Sequence, residues 1–349
     1  MIRVTVDKIG SVSKNVPLRK EIRVSSTIVA QEGYLVCGRV IGQKTSYNTL
    51  EGCDGRMVSL HDGDIIVGAL GHRNALHGYS GVVPETVAVG DILNVLNLGG
   101  VIGKCTSANP EIGAPFGIEI LGSVLVFPEM AQRKGIAAHI GMNSINPSGT
   151  LEDAKKTPII IIAGTCMNSG KTFAACEIIR HFHTKGLKVA GCKLSGVSLL
   201  RDTLNMMDHG AEYTSSFNDA GIVTTNEANS NAGARKSLQV LLETEAQVIV
   251  AELGDGIMGT YGVQNILSDK AVQARTKAIV LCANDPVGAW GGQNFLREQF
   301  GILSDVVSGP VTDHDAGSNF VKEKVGIPGI NARSHGVALA EFLLGKVGL

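Results

Sequence analysis

Ile159-Ile-Ile-Ile-Ala-Gly-Thr-Cys-Met-Asn-Ser-Gly-Lys-Thr172 joins an unbroken apolar run to a glycine-bracketed loop that ends in Lys-Thr. Few local sequences constrain a fold as tightly. Four consecutive isoleucines, Ile159 to Ile162, suit a strand buried on both faces, the habit of parallel sheets covered by helices. The residues from Phe173 to Phe182 read as a helix that begins at the loop. A helix start directs unpaired backbone N–H groups and the positive end of its dipole at one point, where the oxygens of a phosphate chain would sit. Lys171 would reach the terminal phosphates of a nucleoside triphosphate, and Thr172 would face Mg²⁺.

The loop is longer than the common G-x-x-x-x-G-K-[ST] pattern. Gly164 lies six residues before Gly170, and Thr165 stands where that pattern has its first glycine. The expected phosphate cradle is therefore Gly164, Thr165, Cys166, Met167, Asn168, Ser169, Gly170, Lys171, Thr172 and Phe173.

A chain of 349 residues can hold two domains with substantial cores. Its net charge of −1 gives no electrostatic footprint for nucleic acid. No apolar run approaches a membrane span, and Met1 to Asp7 alternates like a strand and lacks the apolar core of a signal peptide. The seven cysteines include no C-x-x-C pair and read as reduced thiols. A cytoplasmic protein is expected, with assembly into a homo-oligomer left open.

Two grammars divide the chain. Residues 1–126 show short strands between glycine turns, at Lys20–Ser25, Tyr34–Gly42, Met57–Leu60, Asp64–Leu70, Thr86–Val89, Ile92–Leu98 and Gly117–Val126, which predicts a smaller β-rich domain, barrel or sandwich. Residues 127–157 read as a linker with a helix-like stretch at 128–134. Residues 158–349 alternate strands (187–192, 246–251, 276–282, 305–308, 329–331) with helices near 234–243, 293–299 and 337–344. That alternation predicts an α/β fold with a doubly wound, mainly parallel sheet.

Further chemistry gathers at the predicted strand ends, where ligands of such sheets bind. Lys193 ends the strand after the loop helix, and Glu252 ends the apolar run Val248 to Ala251 before a Gly-Asp-Gly turn. A carboxylate there suits Mg²⁺, directly or through water. Asp202 and Asp208 lie on a segment with helical spacing; six residues apart, they do not share a helix face. Asp202 is the preferred second metal ligand.

The ordered set Gly164 to Thr172, Gly191-Cys-Lys193 and Glu252-Leu-Gly-Asp-Gly256 resembles the dethiobiotin synthetase group, part of a wider P-loop class with nitrogenase iron proteins, septum-site ATPases and molybdopterin-linked GTPases. The resemblance covers residues 158–331 and leaves the N-terminal half outside. It implies an ATP- and Mg²⁺-dependent enzyme that activates a small carboxylate or related acid by phosphoryl transfer. Catalytic roles would fall to Lys171, Lys193 and Glu252, and metal binding to Thr172, Asp202 and Glu252. Cys166 stands where dimerising ATPases of the class carry a signature lysine, and the N-terminal domain is foreign to plain dethiobiotin synthetases, so biotin synthesis is not implied.

Neither Cys282-Ala-Asn-Asp-Pro286 nor Ser308 to Asp313 contains the Asn-Lys-x-Asp guanine motif, which favours ATP. Asn284 and Asp285 either line the site or initiate a turn. The loop Gly71 to Gly78, with His72, Arg73 and His77, is a candidate for recognising the acidic substrate, against a plain surface role. A nucleotide-dependent switch or accessory ATPase that docks a partner through the N-terminal domain is the alternative function.

Overall fold

The computed structural model describes residues 1–129, 134–152, 154 and 156–349. Most of the helix-like stretch expected at 128–134 lies outside these residues. Contacts divide the chain into two units. The first holds Met1–Ser144 together with Val197–Arg201 and Asn218–Thr224; the second holds Ile145–Gly196, Asp202–Phe217 and Thr225–Leu349.

In the first unit five strands close on themselves: β1 (Leu35–Ile41), β2 (Ile65–Leu70), β3 (Ile92–Val95), β4 (Val101–Ala108) and β5 (Gly117–Val126). β5 pairs antiparallel with β1, β1 antiparallel with β2, β2 parallel with β4, β4 antiparallel with β3, and β3 antiparallel with β5. The expected β-rich fold is thus a small barrel, extended at one side by Ile2–Thr5 and Glu21–Ser25. Alternate residues supply its packing: Val36, Val40, Ile66, Leu70, Leu93, Val95, Ile102, Ile118 and Ile120 form one buried cluster, as a two-residue side-chain period requires.

Thr86–Val89, expected as a strand, is irregular. Asp91 accepts a hydrogen bond from the Ala88 amide, and the turn this makes replaces a ladder. Ile136–Ala137, within the stretch read as linker, pairs with β5.

The second unit is a six-stranded parallel sheet of β6 (Ile159–Gly164), β7 (Val189–Ser195), β8 (Ala211–Ser216), β9 (Val248–Leu253), β10 (Thr276–Cys282) and β11 (Val306–Ser308). Their spatial order is β8-β7-β9-β6-β10-β11. The isoleucine run explains the layering. Ile159 and Ile161 join a core with Leu238 and Leu241 of α3 (Ser230–Leu242) and Leu296 of α4 (Pro286–Phe300). Ile160 and Ile162 join the opposite core with Ile178 and Phe182 of α1 (Lys171–Thr184) and Leu339 and Leu343 of α5 (Gly336–Val347). Helices therefore cover both faces, as the doubly wound reading requires. The segment after β7 contains the short helix α2 (Arg201–Asp208). Residues 329–331, expected as a strand, contribute one isolated parallel bridge, between Gly329 and Val307.

Candidate functional site

The chain leaves β6 for β7 and β8, then returns to place β9 between β7 and β6, while β10 lies on the far side of β6. The carboxyl ends of β6, β7 and β9 consequently converge, where such sheets bind ligands. The loop of residues 165–170 passes from β6 to α1. Asn168 (φ 59°) and Gly170 (φ 89°) are left-handed, the backbone geometry that turns N–H groups into an anion-binding concavity. A Cβ on Gly164 would sit 2.4 Å from Ser169 Oγ and 2.8 Å from Lys171 Cδ, so the loop's own side chains occupy the space a larger residue needs.

Lys171 is 6% exposed. Its Nζ donates to the Cys166 carbonyl at 2.8 Å and lies 3.4 Å from Ser169 Oγ. Burial pulls its pKa below the usual lysine value, against the attraction of Glu252. A buried ammonium held by carbonyl and hydroxyl groups has strong reason to exchange them for anionic oxygen.

Thr172, Glu252, Lys193 and Asp202 form one continuous string. The Thr172 hydroxyl donates to Glu252 Oε1 at 2.9 Å. Lys193 stands opposite Glu252 in the β7–β9 register, so the two side chains share a sheet face, and Lys193 Nζ is 3.8 Å from Glu252 Oε1. The same ammonium pairs with Asp202, in the first turn of α2. Asp208, at the other end of that helix, is exposed. Glu252 is 2% exposed, and burial raises its pKa against the opposing pull of Lys193 and Lys171.

Glu252 Oε2 is buried without a hydrogen-bond partner. A carboxylate oxygen in that state, beside a threonine hydroxyl and with an ammonium bridging it to a second carboxylate, fits a hard divalent cation. Among the described residues no three His, Cys, Asp or Glu side chains form a metal cage.

Other expected residues separate into site and scaffold. The Asn284 amide lies 3.2 Å from Cys166 Sγ, facing the loop. Asp285 instead caps α4 by accepting from the Gly288 amide. Phe173 is exposed beneath the Arg333 guanidinium, 5.1 Å from its ring centre. Arg73 is corrected: it is buried, donates to Tyr47 Oη at 2.7 Å and to the Leu96 carbonyl, and belongs to the strand Arg73–Asn74. It is committed to the interior of the first unit and is not presented to an acidic ligand.

Sequence reasoning missed Asp255. It has a φ of 75° within the Gly-Asp-Gly turn, and burial raises its pKa while Lys171 lowers it. This turn is fastened to the 165–170 loop: the Ile257 amide donates to Gly164 O at 2.8 Å, and a Cβ on Gly256 would meet Thr165 O at 2.6 Å. The two flanking glycines were the available signal.

No family model matches the chain, and no curated protein does. Solved structures similar to it include the signal recognition particle receptor FtsY from Elizabethkingia anophelis, at 14% identity and TM-score 0.38, covering 55% of this chain and 66% of that one. The hydrogenase maturation factor HypB from Archaeoglobus fulgidus aligns at 13% identity and TM-score 0.36, over 55% of this chain and 91% of its own. A DUF1611 family protein from Anabaena variabilis aligns at 12% identity and TM-score 0.40, over 59% and 61%. The chain thus spans slightly less than two thirds of the FtsY and DUF1611 chains.

Proposed function

We propose that the second unit binds a nucleoside triphosphate with Mg²⁺ and transfers its terminal phosphoryl group, with ATP preferred. The observation that carries this is the Thr172–Glu252 pair next to a buried Lys171: one hydroxyl, one orphaned carboxylate oxygen and one desolvated ammonium at the head of a sheet-fed helix. When bound, Mg²⁺ would be held by Thr172, Glu252 and Asp202 and would neutralise charge on the phosphate oxygens. Lys171 would trade the Cys166 carbonyl for a terminal phosphate oxygen. Lys193 would stabilise charge on the group in transfer, the main protein contribution in this reaction class. By the resemblance to dethiobiotin synthetases, the acceptor would be a small carboxylate or related acid.

Calorimetric titration with ATP and GTP, with and without Mg²⁺, tests the binding step, and mass analysis of a metabolite extract incubated with Mg·ATP tests the transfer. Tight Mg²⁺-dependent ATP binding with a new phosphorylated or ligated acid is expected. Failure of both nucleotides to bind overturns the proposal.

A second reading is a nucleotide-dependent switch or accessory ATPase that docks a partner through the N-terminal domain. Partner-stimulated hydrolysis with no modified small molecule would decide for it.

A further inference from the structure

Asp255 stands in the turn that follows β9, with a φ of 75° in the left-handed region. A residue other than glycine stays there only when its surroundings hold it. The glycines on either side have packing reasons: a Cβ on Gly254 would collide with the Ser195 carbonyl at the end of β7, and one on Gly256 would fall 2.9 Å from Cys166 Cα. Glycine would adopt the backbone of position 255 freely, yet the chain places a carboxylate there. Side chains held against strain in this way gather at sites where their placement matters.

The carboxylate is fixed as well as placed. The Gly256 and Thr260 amides donate to it, and the Gly259 amide closes the turn on the Gly256 carbonyl at 2.8 Å. A Cβ on Gly259 would overlap Asp255 Oδ2, so the turn folds back directly over the carboxylate. Asp255 is half-buried. Burial raises its pKa, and Lys171 is the charged group that lowers it; Asp255 acts on the buried Lys171 ammonium in return. A fixed carboxylate and a buried ammonium thus lie within one another's field where α1 begins.

We infer that Asp255 is the general base of the transfer, taking the proton of a hydroxyl that attacks the terminal phosphorus; this rests on the nucleotide function proposed above. As the attacking oxygen bonds to phosphorus, the bond from that phosphorus to the β–γ bridging oxygen breaks. The electron pair leaves on the nucleoside diphosphate, and the hydroxyl proton passes to a carboxylate oxygen of Asp255. Lys171 carries the charge on the phosphoryl oxygens and Asp255 the proton, the two needs of such a step. The class of acceptor follows. An ionised carboxylate has no proton to surrender and is repelled by Asp255, so the attacking group is a hydroxyl, of a hydroxy acid or of water.

Two variants of the full chain test this. Asparagine tolerates the left-handed region and keeps one oxygen for the turn amides, so Asp255→Asn removes the base and keeps the turn. ADP release from Mg·ATP, in buffer and in a metabolite extract, reads turnover with water or with a dissolved hydroxyl as acceptor. In Asp255→Asn kcat should fall by about 100-fold or more, while ATP affinity by calorimetry stays within about threefold. Hydrogen exchange across residues 254–260 should match the wild type. Asp255→Gly, which removes the carboxylate without backbone strain, should lose the same turnover, and it carries the test alone should Asp255→Asn not fold. Turnover within about tenfold of the wild type, or a loss of ATP affinity as large as the loss of turnover, overturns the inference. If the wild type neither binds nor turns over nucleotide, the function proposed above fails and this inference with it. If the wild type turns over ATP and the variants do so equally well, only this inference fails.

Discussion

The Thr172 hydroxyl donates to Glu252 Oε1 at 2.9 Å, so the first turn of α1 and the end of β9 meet through one hydrogen bond. The other oxygen of Glu252 is buried and has no hydrogen-bond partner. A buried acceptor left in that state costs about 1–3 kcal/mol, and a cation arriving with the nucleotide would remove the cost. Stability surrendered in the empty site would thereby be returned as affinity in the filled one.

Lys171→Met should lower triphosphate affinity by about 100-fold or more, the scale on which a single preorganised charge acts at a phosphate. The thermal midpoint should not fall. Burial already pulls the Lys171 pKa down, so the folded state resists the charged form, and an apolar side chain of similar length relieves that resistance. Calorimetry and a thermal melt on one preparation check both halves; a large loss of stability would make Lys171 a scaffold residue.

Glu252→Gln and Asp202→Asn should each raise the Mg²⁺ needed for turnover by about 10- to 100-fold, while metal-free nucleotide binding changes by about threefold at most. Each removes an anionic oxygen suited to Mg²⁺. Asp208→Asn serves as the control, since that side chain is exposed at the far end of α2 and its Mg²⁺ profile should match the wild type.

The strand–loop–helix order around residues 165–170 was legible because its signal is local: an apolar run, a glycine-bounded loop and a Lys-Thr pair are contiguous. Lys193 and Glu252 were legible because strand ends in a parallel sheet converge by rule. Among the strands that escaped notice, two did so for a related reason. Ala211–Ser216 is Ala-Glu-Tyr-Thr-Ser-Ser, and Val101–Ala108 carries Gly103, Lys104 and three small polar or thiol residues. Neither shows the apolar run or clean alternation that identifies a strand. β8 is placed by pairing along β7, a long-range contact that overrides composition. The contacts of Glu51 lay beyond reach altogether: its buried carboxylate accepts from the Leu200 and Arg201 amides, 149 and 150 residues away, and nothing near position 51 announces them.

Glu32 gives a pH signature in the first unit. Burial raises its pKa from 4.5 to about 7, with a partial offset from the Thr224 amide. A carboxyl raised in the folded state keeps its proton while the unfolded chain releases it, so stability falls as pH rises from about 4.5 to about 7 and the penalty is complete above that. Glu32→Gln should therefore stabilise the protein at pH 8, by about 3 kcal/mol at most, and change nothing at pH 4. Melting curves of both proteins across that range test the sign; equal curves at pH 8 would show that the carboxylate is solvated.

Arg73→Ala should act on stability and leave nucleotide affinity unchanged. Its guanidinium donates to Tyr47 Oη and the Leu96 carbonyl and lies 5.6 Å from the Tyr47 ring centre, inside the first unit. Truncation leaves a buried carbonyl and a phenol without their donor, a loss of about 1–3 kcal/mol, and removes a cation–π contact as well. The position is also sterically committed, since a Cβ on Gly78 would fall 2.6 Å from Arg73 Nη2; the glycine at 78 lets the hairpin close over the guanidinium. An arginine exposed to capture an acidic substrate would behave in the opposite way, with a raised KM and an unchanged melting temperature. A fall in thermal midpoint with KM for the acid and ATP affinity both intact is the expected result, and the reverse pattern would return Arg73 to the binding site.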